Sequence, residues 1–253
     1  MRAFRAGRYE ARFAETEDDI RRAQELRWRS FRAARGLGEA GRLDADRFDP
    51  VCRHVLVEER RSGTLVAAFR LLPLSDGTEI GRSYSAQYYE LSALSSYRGR
   101  MVEMGRFCLD PDWHDPDILR VAWGAMTRYV DEEGVEMLFG CSSFMGTDAK
   151  AYLDAFAMLR ARHLAPTRWL PKVKAPRVFR FAARLRGRIP DRRRALQGLP
   201  PLLRTYLTMG GWVSDHAVVD RDLGTMHVFT GLEVRLIPPS RSRTLRGVAK
   251  SCL

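Results

Sequence analysis

No apolar run in the chain approaches the roughly 20 residues that a membrane-spanning helix requires. Residues 1–7 are basic, but no apolar stretch follows them, so neither a secreted nor a membrane-spanning protein is expected. Cysteine is scarce. Cys52, Cys108, Cys141 and Cys252 are scattered, with no C-x-x-C spacing and no paired histidine, which argues against a metal site and fits reduced thiols in a cytoplasm. Internal repeats are lacking too, which excludes solenoids and propellers. What the chain does have is apolar content, 45% over 253 residues. That is too much for disorder and enough to bury a core without disulfide or metal staples.

Charge is the next feature, with 43 Lys+Arg against 31 Asp+Glu and a formal net charge of +12. Taken whole, such a balance raises nucleic-acid binding as a default. The excess is local, however: residues 160–194 contain 13 Lys/Arg and a single acid, Asp191, and the charges elsewhere cancel. A neutral body carrying one basic segment reads either as an attachment surface for something acidic or as a solvated insertion.

Apolar spacing outlines the elements. Thr16-Glu17-Asp18-Asp19 has the form of a helix start, with acids where the helix dipole favours them, and the helix runs through Ala23, Leu26 and Trp28 toward Gly36. Residues 53–59 and 64–72 read as a hairpin closed by Arg60-Arg61-Ser62-Gly63. A strand over 100–109 follows, then a helix over 117–133, a short strand over 135–140 ending in Cys141-Ser142-Ser143, and a helix over 148–160. After the basic segment come a helix over 200–209 and two strands, 212–219 and 226–235. This order predicts one α/β domain with a mixed, twisted central sheet flanked by helices. The basic insertion 160–194 precedes the last helix and strands, and residues 236–253 form a basic tail.

Three charges fall inside apolar strand sequence: Arg70 in the 64–72 run and Glu103 and Arg106 in the 100–109 run. Burying an unpaired carboxylate costs several kcal/mol, and strongly perturbed buried groups cluster at functional sites. Glu103 is therefore either a proton-transfer catalyst or half of a structural ion pair with Arg70 or Arg106. Gly105 permits a bulge that would return Glu103 and Arg106 to one face. Asp44, Asp46 and Asp49 either receive a cationic substrate or solvate their loop. Ser142 and Ser143 either donate to an oxyanion or terminate a turn. Cys141 has no histidine near it in sequence and is not expected to act as a nucleophile.

Several blocks carry a resemblance. Leu26-Arg27-Trp28-Arg29-Ser30-Phe31, Asp44 with Asp46, Phe69-Arg70-Leu71-Leu72 and Glu103-Met104-Gly105-Arg106-Phe107 resemble the ordered blocks of GNAT-superfamily acyltransferases that use acyl carrier protein. The acyl-homoserine-lactone synthases are one branch. Tyr89-Glu90-Leu91-Ser92-Ala93-Leu94, Gly140-Cys141-Ser142-Ser143-Phe144 and Leu199-Pro200-Pro201-Leu202-Leu203-Arg204 are more similar to the L-ornithine Nα-acyltransferase branch. The superfamily's glycine-rich turn for the coenzyme A pyrophosphate should follow the Glu103 strand. Here that stretch is Asp110-Pro111-Asp112-Trp113-His114-Asp115-Pro116, acidic and without glycine, which disfavours a pyrophosphate donor.

The resemblance implies transfer of a 3-hydroxyacyl group from acyl carrier protein to the α-amine of L-ornithine, with no resident cofactor. Glu103 would be the base. Arg70 or Arg106 would grip the substrate carboxylate, Asp44 or Asp46 would meet the δ-ammonium, and Ser142 and Ser143 would steady the oxyanion. Arg168, Lys172, Lys174, Arg177 and Arg180 would dock the acidic carrier or an anionic membrane surface, placing the enzyme in the cytoplasm or peripherally on the inner membrane. The rivals are an acyl-homoserine-lactone synthase and, from another class, a basic nucleic-acid-binding module. The last leaves the internal Glu103, Arg70 and Arg106 unexplained, so no nucleic-acid partner is expected.

Overall fold

The computed structural model describes residues 3–33, 36, 42–241 and 243. Most of the basic tail expected at 236–253 lies outside them. The described residues group into two compact units, interleaved in sequence: those within 1–73, 104–135 and 239–243 form one, and 74–103 with 136–238 the other. Two of the four passages between the units fall inside strand sequence, at 73/74 and 103/104, where no linker composition could mark them; the other two fall outside strands, after Val135 and after Pro238.

In the first unit, strands β1 (Phe4–Ala6), β2 (Tyr9–Phe13) and β3 (Arg53–Glu59) pair antiparallel in that order, and β3 pairs antiparallel with β4 (Leu65–Leu74). The β1–β2 hairpin is absent from the sequence reading. Its strands of three and five residues, joined through Gly7, are too short for a visible alternation. The expected β3–β4 hairpin is present, its turn held by Glu59, whose carboxylate accepts from the backbone of Arg61 and Ser62 and from the Ser62 hydroxyl.

Helix α1 (Glu17–Phe31) starts where expected, with Thr16 Oγ1 accepting from the Asp19 amide at 3.1 Å and three acids in the first turn. It buries Ala23 and Leu26 against Leu56, Leu65, Ala68 and Cys108. Burial pushes the Cys108 thiol up to about 12, which keeps it protonated and unreactive. Helix α2 (Pro116–Glu133) begins on the Asp115 cap with Pro116 in its first turn and stops at Gly134, whose left-handed φ of 62° a side chain would resist.

The second unit holds a mixed sheet. Strand β6 (Met101–Leu109) contributes Met101–Glu103 to it, parallel to the start of β7 (Met137–Met145). Along its whole length β7 runs antiparallel to β12 (Thr225–Glu233), and β12 pairs with β11 (Ala217–Asp220). Between β4 and β6 lie short 3-10 turns and β5 (Tyr89–Glu90). The first turn needs Gly77, where a Cβ would stand 2.0 Å from the Leu94 carbonyl oxygen.

The basic segment is woven into this unit. Strand β8 (Lys172–Val173) pairs with β5, and β9 (Val178–Phe179) pairs with β11. Helix α3 (Leu153–Arg162) packs with α4 (Phe181–Arg184), α5 (Arg192–Gly198) and α6 (Pro201–Thr208). Phe181, Leu185, Ala195 and Leu199 join Phe156, Leu159 and Leu203 in one core. The segment's apolar residues thus anchor it while its arginines face solvent.

The described residues form the expected α/β architecture, with a mixed sheet and flanking helices. The stretch read as one strand over 212–219 is instead β10 (Trp212–Val213) and β11, separated at Ser214–His216. The Ser214 hydroxyl accounts for the break: it donates to the His216 carbonyl and accepts from the Phe229 amide, taking the place of ladder bonds.

Candidate active site

Glu103 ends the portion of β6 that pairs with β7 and is 4% exposed. Its carboxylate is held by the turn that precedes β5. Oε2 accepts from the Tyr84 amide at 2.7 Å, and Oε1 accepts from the Ser85 amide at 2.7 Å and the Ser85 hydroxyl at 2.5 Å. Three converging donors fix the orientation of a buried carboxylate far more tightly than a surface pair would. Ser85 Oγ also lies 3.3 Å from Cys141 Sγ. Sequence reasoning identified Glu103 but not Tyr84 and Ser85, since two of the three donors are backbone amides and carry no residue-type signal.

Strand β7 corrects the reading of the serines. Cys141, Ser142 and Ser143 are not at a strand end but in mid-strand, opposite Phe229, Val228 and His227. The long β12 ladder extends β7 beyond the expected stop. Alternation then separates the two hydroxyls. Ser142 faces the apolar core and accepts from the Thr230 hydroxyl at 2.9 Å, whereas Ser143 shares the face of Cys141 and Phe139. Only Ser143 therefore presents its side chain on the Glu103 side of this sheet.

On that face the 84–89 segment builds an aromatic wall. Tyr84 and Tyr88 bring their hydroxyls to 3.3 Å, Tyr88 packs edge-on against His227 at 5.0 Å, and the Tyr89 hydroxyl donates to the His227 carbonyl at 2.7 Å. Burial, with a smaller push from His216, lowers the His227 imidazole to about 3. The unfolded chain therefore binds a proton near pH 6.5 that the folded one refuses, and stability contributed above that pH is lost on acidification. Between pH 7 and pH 5 this difference amounts to about 2 kcal/mol. His227→Gln is expected to remove that increment, read as a smaller fall in urea midpoint over the same interval; an unchanged fall would contradict the assignment.

The first unit holds the other predicted charges, and it brings them together. The Arg70 guanidinium bonds both oxygens of Asp46, at 2.6 and 2.7 Å, and reaches Asp49 at 2.7 Å. Arg106 meets Asp44 at 3.0 Å and Asp46 at 3.2 Å. Arg27, 1% exposed, takes both oxygens of Asp49 at 2.8 Å and the Asp44 carbonyl at 2.6 Å. Burial opposes the charge on Asp46 and Asp49, but the arginines outweigh it and hold both carboxyls below their ordinary range. Three arginines and three aspartates thus neutralise one another, and the charges expected to bind ornithine pin the 44–49 loop onto α1 and β4.

Arg27 was outside the predicted site, and Asp49 was read only as an acid that either receives a cationic substrate or solvates its loop. The available signal was an arginine four residues after Ala23, on the inward face of a helix. Where the sequence allowed a bulge at Gly105, it is Arg106 that has the left-handed backbone, with φ of 52°. That conformation costs of order 1–3 kcal/mol in a residue other than glycine and is retained where Asp44 and Asp46 grip the side chain.

The predicted docking residues all lie in the second unit. Arg168 is 3.7 Å from Glu233, Lys172 stands opposite Glu90, and Arg177 and Arg180 are exposed. Lys174 Nζ donates to the Ala86 carbonyl at 2.6 Å, and the Ala175 amide donates to Tyr88. The basic segment is thereby stitched to the turn that holds Glu103.

Residues 26–124 match an acetyltransferase (GNAT) domain. An L-ornithine N(alpha)-acyltransferase of Rhodobacter capsulatus is 38% identical over 232 residues, 87% of this chain and 88% of that protein. This chain belongs to the GNAT acyltransferases, in the family of the L-ornithine N(alpha)-acyltransferases. The counterpart in Brucella abortus is 29% identical to this acyltransferase over 246 residues, 92% of this chain and 87% of that protein. The fold of this chain is similar to that of an N-acyl amino acid synthase from uncultured soil microbes, with a TM-score of 0.50, 11% identity, and coverage of 91% of this chain and 94% of that one.

Proposed function

We propose that this acyltransferase moves a 3-hydroxyacyl group from the thioester of an acyl carrier protein to the α-amine of L-ornithine. The observation that carries the reading is the 38% identity to the Rhodobacter capsulatus protein across 88% of its length. A carrier-borne donor is further supported by the start of α2. There Asp115 occupies the Asp117 amide at 2.9 Å, Pro116 has no N–H, and Asp110 occupies the Asp112 amide at 3.0 Å. Amides that could cradle a pyrophosphate are already taken by carboxylates.

An α-amine has a pKa near 8 and is mostly an ammonium at neutral pH, so a base must take its proton before attack. Glu103, fixed by Tyr84 and Ser85, supplies that base, directly or through a water. The freed nitrogen bonds to the thioester carbon, the C–S bond breaks, and the amine's second proton passes to the departing thiolate on the carrier. Purified protein incubated with ornithine and a 3-hydroxyacyl carrier protein is expected to release the N-acylated amino acid, detected by mass. Product only with S-adenosylmethionine would indicate a lactone synthase, and product with neither acceptor would overturn the assignment.

A further inference from the structure

The segment between α4 and α5 combines two features that a solvated loop does not need. Ile189 is 91% exposed, yet its backbone surroundings are fastened. On one side Arg188 bonds Asp154 through Nε at 3.1 Å and a terminal nitrogen at 2.9 Å; on the other, the Asp191 amide donates to the same Asp154 oxygen at 3.3 Å. Asp191 in turn caps α5 by accepting from the Arg194 amide at 2.8 Å. The isoleucine is held outward.

Around it basic side chains outnumber the two acids, Asp154 and Asp191. Asp154 is spent on Arg188, whereas Arg186, Arg192 and Arg193 are exposed and have no carboxylate partner among the described residues. Leu196, one turn along α5 from Arg192 and Arg193, is 41% exposed. Beside the loop a surface cavity of about 450 Å³ is lined by Lys150, Tyr152, Arg188, Arg194 and Gln197, together with Asp154, whose carboxylate is paired with Arg188.

We infer that this face seats the protein on an anionic phospholipid bilayer, with Ile189 entering the headgroup–acyl boundary and the arginines meeting lipid phosphates. Charge complementarity selects the class of partner, and the projecting aliphatic side chain selects a bilayer over an acidic protein. A basic loop whose apolar tip stands almost wholly in solvent can enter a soft interface, whereas a single aliphatic side chain is a small apolar contact for a folded partner. No helix among the described residues is long and apolar enough to cross a membrane, so the contact is a surface one. The cavity, with Lys150 and Arg194 on its wall, is placed to take a headgroup. This inference does not depend on which amine the enzyme acylates.

Each arginine near an anionic surface contributes about fivefold in affinity. Sedimentation of the full chain with vesicles of phosphatidylcholine alone, or with one third phosphatidylglycerol, tests the assignment. The wild type is expected on the anionic vesicles only, with binding that weakens as salt rises. Arg192→Ser with Arg193→Ser is expected to lose roughly 25-fold, Ile189→Asp at least about tenfold, and Lys150→Ala about fivefold. All are exposed positions, so circular dichroism should be unchanged. Equal binding to both vesicle types overturns the inference, as does wild-type affinity in the variants. A raised KM for acyl carrier protein with unaltered vesicle binding overturns it too, by making the face a carrier-docking surface.

Discussion

Replacing Glu103 by glutamine is expected to lower kcat by roughly 10²- to 10⁴-fold, the range that a positioned general base supplies. The amide keeps the size of the side chain but not its chemistry. It has one acceptor where the carboxylate has two, and its NH2 must face either the Tyr84 or the Ser85 amide, donor against donor. The mismatch costs about 1–3 kcal/mol of stability, so the variant should fold and melt somewhat lower. A second variant separates base from anchor. Ser85→Ala deletes the hydroxyl at 2.5 Å while leaving both backbone donors on the carboxylate, and should lower kcat within about tenfold. Near-normal turnover by Glu103→Gln would leave Glu103 as an anchor for the 84–87 turn and end its assignment as base. Equal losses in the two variants would place the effect in the turn's position.

The contrast between Glu103 and its partners shows where sequence reasoning succeeds. A carboxylate inside Met101-Val102-Glu103-Met104 is conspicuous because burial has a known cost. Its partners are not, because a 3-10 turn some twenty residues upstream delivers amides that any sequence could supply. The same limit applies to the serines. Cys141-Ser142-Ser143 has weak strand propensity, so β7 was expected to stop there, and only the long β12 partner overrides that preference. Helix α1 was legible from its Thr16 start and α2 from its apolar spacing, whereas Asp115 and Gly134, which bound α2, emerge only in the structure. The arginine–aspartate network was half legible. Arg70, Arg106, Asp44 and Asp46 stood out singly, but their mutual pairing is a tertiary fact, and Arg27 and Asp49 are what close it.

Asp49→Ala is expected to be the most destabilising change in that network. The carboxylate is shared by Arg27 and Arg70 and also accepts from Gln24 and from the Asp46 amide. Removing it strands part of two buried cations, and breaking such a pair costs about 3–5 kcal/mol, a large share of the 5–15 kcal/mol typical of a whole domain. Arg27→Ala should cost less, because Asp49 keeps Arg70, Gln24 and the amide.

The acid limb of stability gives an independent check. The Asp49 carboxyl lies below its ordinary value, with burial opposing the charge and the arginines prevailing. Its contribution is therefore complete above about pH 4, the unfolded value, and is lost as pH falls through the lower folded value. Urea midpoints followed from neutrality into that range should drop steeply in the wild type and more gently in Asp49→Ala. A variant within about 1 kcal/mol of wild type, or one with the same acid slope, would show that the 44–49 loop is held by apolar contacts and not by its charges.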